Sequence, residues 1–93
     1  MKVNFAATFV NLDGSPAADE VGTLGAVAAN ALLDPRLEGD GTKKAANYEL
    51  ALRVFKAGEL DIESQDVGRI KDAIGRFCAP ILVGQAFRLL EGK

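Results

Sequence analysis

The chain opens with a two-residue rhythm. Val3, Phe5, Ala7 and Phe9 alternate with Asn4, Ala6 and Thr8, the period of a strand with one buried face. Asn11-Leu12-Asp13-Gly14 follows, and its Asn and Asp-Gly are turn chemistry. Ser15-Pro16 resumes the chain, with Pro16 removing a backbone donor. Either a short second strand returns here as an edge or the segment is an irregular loop, and the expectation is a small hairpin within residues 1–22. A lone hairpin is marginal in water, so it must pack on helices.

From residue 23 the period lengthens. Thr23 can cap a helix over Leu24 to Leu33, in which Leu24, Val27, Ala28, Ala31 and Leu32 share one face. Asp34-Pro35 stops it, and residues 34–42 read as a loop holding Pro, two Gly and three acids. Thr42 can cap a second helix, Lys43 to Ala57, closed by Gly58. Its expected core stripe is Tyr48, Ala51, Leu52 and Phe55, broadened by Leu50 and Val54. Residues 59–63 read as a short extended connection with Leu60 and Ile62 inward. Ser64 is the expected cap of a third helix striped by Val67, Ile70, Ile74 and Phe77, with Asp66 in its first turn. Ala79-Pro80 breaks the chain, and Pro80 suits the first position of a last helix running to Leu90. That helix is apolar over more than half its circumference and is expected to be the central, most buried element. The sequence therefore predicts a mainly helical α+β fold: an N-terminal β-hairpin packed on about four helices. It forms one small domain over residues 1–93, with a hairpin region (1–22) and a helical region (23–93).

Several of these stretches resemble a family of small proteins, most without an assigned function, encoded by tailed bacteriophages and proteobacterial prophages. They are the opening strand, Leu12-Asp13-Gly14, Thr23-Leu24-Gly25 before Ala29-Asn30-Ala31-Leu32, Tyr48-Glu49-Leu50-Ala51, the Ser64-initiated helix, and Pro80-Ile81-Leu82-Val83-Gly84-Gln85-Ala86-Phe87. The resemblance covers most of the chain, and Val83-Gly84-Gln85-Ala86 is its most specific run. It implies a phage or prophage origin and carries over no catalytic residue. Cys78 stands where the family pattern leads one to expect a tyrosine or similar residue, which suggests that the thiol is not essential.

Composition narrows the chemistry. Apolar residues make up 48% of the 93, charged residues 26%, and the net charge is −2, close to a globular average. Seven acids balance seven bases over residues 47–93, so no net field favours nucleic acid. The last two helices imitate a helix-turn-helix. The second would meet the groove with Ile-Leu-Val and one Arg, which cannot read bases. There is no histidine and a single cysteine, so Ser–His and Cys–His pairs, imidazole ligands, Cys-based zinc sites and intramolecular disulfides are all unavailable. No apolar run approaches the roughly 20 residues of a membrane span. A cytoplasmic protein of the host bacterial cell is expected, without membrane or nucleic-acid partners.

The remaining candidates favour plain readings. A calcium loop begun at Asp61 lacks the Gly at its sixth position and the closing Glu. Gly39-Asp40-Gly41-Thr42-Lys43 reverses the Lys-Thr order of a phosphate loop and adds a repelling Asp. The helix N-terminus after Cys78 could lower its thiol pKa, but a buried packing role is the better reading. Gly84 and Gln85 interrupt an apolar run. A glycine there, or Gly68 or Gly75, can let helices approach, and Gln85 needs a partner if buried. Arg69 and Arg76 lie seven apart on one helix face, and with Arg88 they could dock an acidic partner. No catalytic, cofactor or metal residue is assigned. Arg69, Arg76, Arg88 and Gln85 are the candidate partner-binding residues. The function expected is non-enzymatic binding of a host or phage protein, inhibiting or redirecting a host or defence complex. The alternative is a self-associating accessory protein of virion assembly.

Overall fold

The computed structural model describes residues 1–92. Strand β1 (Lys2–Asn4) is followed by an irregular N-terminal segment and a single 3-10 turn (Asp19–Val21). Then come α1 (Leu24–Leu32), α2 (Gly41–Phe55), β2 (Glu59–Asp61), α3 (Ser64–Phe77) and α4 (Pro80–Leu90). The fold is the mainly helical α+β domain expected, with a two-stranded antiparallel sheet and four helices. Among the described residues no helix is long and apolar enough to cross a membrane.

The opening alternation survives as a burial pattern longer than the strand itself. Val3, Phe5 and Phe9 are buried, while Asn4, Ala6, Thr8 and Val10 are exposed. The turn at Asn11–Gly14 closes as read: Val10 pairs antiparallel with Pro16, the Asn11 amide donates to the Ser15 carbonyl at 2.8 Å, and Gly14 takes the positive φ of 87°. What the sequence did not reveal is where β1 pairs. Its partner is β2, with Val3 opposite Leu60. The Ile62 amide extends the ladder to the Met1 carbonyl at 2.8 Å. Ile62 is buried and Leu60 is partly buried against the core, as the alternation in 59–63 implied.

Between these pairings the N-terminal segment serves α1. A helix leaves its first N–H groups without intrahelical partners. Here the Leu24 amide donates to the Ala7 carbonyl (2.8 Å), Gly25 to Phe5 (2.9 Å) and Ala26 to the Thr23 hydroxyl (3.2 Å). The helix start is thus fixed by tertiary structure as well as by its cap. The other caps shift slightly. Asp40, not Thr42, caps α2, accepting from the Lys43 amide at 2.9 Å. Ser64 is the first residue of α3 rather than its cap. Pro80 opens α4 as expected.

The central helix is α1, not α4. Seven of the nine α1 residues are buried, and α2 and α3 both pack on it. In α4 only Ala86 and Leu90 are buried, and it packs chiefly on α3, with a lesser contact to β1. Small side chains explain the exchange. Gly25, Ala28, Ala29 and Ala31 let neighbours approach α1 on several sides. A β-carbon placed on Gly25 would lie 2.2 Å from the Val54 carbonyl oxygen and 2.9 Å from that of Phe55. Close approach thus occurs at Gly25. Gly68 and Gly84 face open space, and Gly75 makes only ordinary contact with Phe87.

Candidate functional site

The four residues singled out from sequence line two different hollows. Arg69 and Arg76 line a cleft of about 320 Å³ that also holds Glu38, Lys43 and Asp72. Charges of both signs therefore surround it. Arg88 and Gln85 line a different depression, about 380 Å³, beside Val10, Leu12 and Ile81. The expected basic strip is divided because α4 carries Arg88 to a separate hollow.

Arg69 is also committed internally. Its guanidinium donates to the Asn47 carbonyl oxygen and to Asp66 Oδ1 (3.2 Å). Arg53 reaches the other Asp66 oxygen at 3.4 Å. Asn47 and Asp66 are buried, so these contacts satisfy groups that would otherwise lose their water uncompensated. Both α2 and α3 lean on α1, and this network ties them to each other. Arg76 pairs with Asp72 one turn back at 3.2 Å, both half-exposed, an arrangement worth little in water.

Gln85 is a clip. Its Oε1 accepts from the Val10 amide and its Nε2 donates to the Val10 carbonyl, both at 2.9 Å. The side chain thus does for Val10 what a neighbouring strand would do, and it holds the hairpin against α4. Gln85 is thus a polar bridge to the backbone of Val10.

The other chemical candidates are occupied or subdued. Burial pushes the Cys78 thiol pKa up, away from thiolate reactivity. Asp13 accepts from the Ser15 hydroxyl and amide, which lower its pKa. Asp34 is held at about 2, first by the Arg36 side chain and then by the Arg36 amide. Among the described residues no three His, Cys, Asp or Glu side chains converge to hold a metal.

The feature that sequence reasoning misassigned is on α2. Tyr48, Leu52 and Phe55 were expected to face the core, yet they are 52%, 58% and 46% exposed. The buried face is Asn47, Leu50, Ala51 and Val54. Both sets follow the i, i+3, i+4, i+7 spacing of a helix face. The true core face contains a polar residue, Asn47, which is tolerated only because Arg69 on α3 satisfies it. The rejected face joins Leu33, 51% exposed at the end of α1. Leu33, Tyr48, Leu52 and Phe55 border a groove of about 230 Å³ floored by Ala29 and Ala51, with Asn30 the one amide in its lining. A second apolar cluster stands on the hairpin side, where Leu12 is 95% exposed near Val10 and Ile81.

No family model matches the chain, and no curated protein or solved structure matches it.

Proposed function

We propose that this protein is non-enzymatic and acts by protein–protein binding through the α1–α2 face. The observation that carries the reading is the group of half-exposed side chains around one groove: Leu33, Tyr48, Leu52 and Phe55. Large side chains of this kind bury 150–250 Å² when covered, so four half-exposed ones offer roughly 400 Å². A contiguous apolar patch of that size matches the largest on a typical soluble monomer, which is often functional. At about 25 cal/mol per Å², covering it supplies roughly 10 kcal/mol before the costs of association. That is enough to centre an interface.

The sequence resemblance adds a setting: a phage or prophage product acting in the host cytoplasm, either on a host complex or in virion assembly. The arginine patch is set aside as the binding surface. Arg69 is spent on the α2–α3 network, and Arg76 and Arg88 line different hollows.

The test compares Leu52→Asp with Arg76→Ala and Arg88→Ala in the full chain. Helical circular dichroism should be unchanged in all three, since each site is solvent-exposed. Leu52→Asp is expected to abolish association with the binding partner, and the arginine variants to retain it. Full binding by Leu52→Asp would reject the α1–α2 face.

A further inference from the structure

We infer that the occupant of the α1–α2 face is a second copy of this chain, docked with the two α2 helices antiparallel about a two-fold axis at Leu52. The inference rests on the reading of that face as a protein-binding surface and adds the identity of the partner.

The argument is the charge pattern beside the groove. Glu49 lies one turn before Leu52 on α2 and Lys56, the residue that caps the end of the helix, one turn after it, both exposed. Neither takes part in an ion pair among the described residues. They are seven residues apart, about 10 Å along the axis, too far to pair within one helix. A two-fold axis through Leu52 that reverses the helix direction changes this. Glu49 of one copy then stands about 4.5 Å along the helix from the axis, and Lys56 of the other about 6 Å along on the same side. The two meet on the same flank, and symmetry makes the contact twice. A parallel pairing in the same register would bring each charge level with its like. The pattern is therefore self-complementary in one orientation.

The area agrees. Stable interfaces bury about 800 Å² per partner, with an apolar centre and a polar rim. The roughly 400 Å² patch supplies the centre, and Glu49, Lys56 and Asn30 stand on the rim. Leu33 brings the end of α1 into the same surface, so the contact is a helix face with a groove beside it.

The experiment uses the full chain. Light scattering across a concentration series is expected to show a dimer, and Leu52→Glu a monomer with unchanged helicity. Glu49→Lys and Lys56→Glu should each weaken the dimer about threefold to tenfold, and the double variant should restore it. In a Cys78→Ser background, Leu52→Cys should oxidise rapidly to a cross-linked dimer, because residues at the axis come within disulfide range. Leu12→Cys, on a still more exposed side chain, should lag far behind. A chain monomeric at all concentrations overturns the inference. If Leu52→Asp still abolishes binding to a different protein, the binding reading survives that failure. If it does not, both fail. A dimer that neither cross-links through Leu52→Cys nor recovers in the double charge reversal overturns the antiparallel geometry.

Discussion

At the scale of single residues, Gly25 on α1 has no room for a side chain. Adding one methyl group there sets a carbon 2.2 Å from the Val54 carbonyl oxygen, a backbone atom that cannot rotate away. Gly25→Ala is expected to destabilise the fold by about 3 kcal/mol, read as a fall in urea midpoint. An unchanged midpoint would mean that α1 and α2 are not in this contact. Asp34 gives a pH signature. Its carboxylate is held near 2 by the Arg36 side chain and amide, against about 3.9 in an unfolded chain. A depressed acid stabilises the folded state above the unfolded pKa, and that contribution is lost as pH falls towards the folded one. The loop after α1 should therefore loosen between about pH 4 and pH 2. An Asp34 carboxyl that titrates by NMR near 4 would contradict the clamp.

At the scale of elements, helix identity was legible, and so were the buried faces of α1 and α3, but that of α2 was not. The periods predicted all four helices and the turn at Asn11–Gly14. They could not choose between two faces of α2, because each has the spacing of a core stripe and the apolar count favoured the wrong one. The deciding contact, Arg69 on Asn47, joins residues 22 apart in the chain. No local pattern encodes it. The pairing of β1 with β2 was hidden for the same reason, since a three-residue strand carries almost no register information of its own. The candidate site suffered most. Arg69 and Gln85 hold internal contacts, Arg76 pairs with Asp72, Arg88 lines another hollow, and the apolar groove was read as core. The glycines of α3 and α4 teach a related lesson. Gly68 and Gly84 have nothing within 4 Å of a would-be β-carbon, so packing does not require them. Gly84→Ala is expected to stabilise the protein by up to about 1 kcal/mol and raise its melting temperature by roughly 4–8 °C. A lower melting temperature would show that Gly84 admits a neighbour after all.

At the scale of the whole molecule, the helices are unequal. The chain measures 41 × 26 × 19 Å, and α1 lies at its middle with α2 and α3 against it. The N-terminal segment locks that group, since Phe5 and Ala7 cap α1 while Val3 and Met1 reach residues 60 and 62. By contrast, α4 buries only Ala86 and Leu90. Its further ties are partly buried apolar contacts at Leu82, Val83 and Leu89, the Gln85 clip on Val10 and the exposed Lys71–Glu91 pair on α3. Segments with little buried apolar surface open at lower free energy than the core. Native-state hydrogen exchange should therefore order the amides, with those of α1 slowest, α2 and α3 next, and α4 with the hairpin fastest. Because Gln85 couples the last two, Gln85→Ala should accelerate exchange in both α4 and residues 9–17 while leaving α1 untouched. Equal protection in α1 and α4 would mean that the last helix is as integral as its apolar sequence first suggested. If the exchange order holds, the α1–α2 face stands on the most rigid part of the molecule, where a binding surface loses least entropy on being covered.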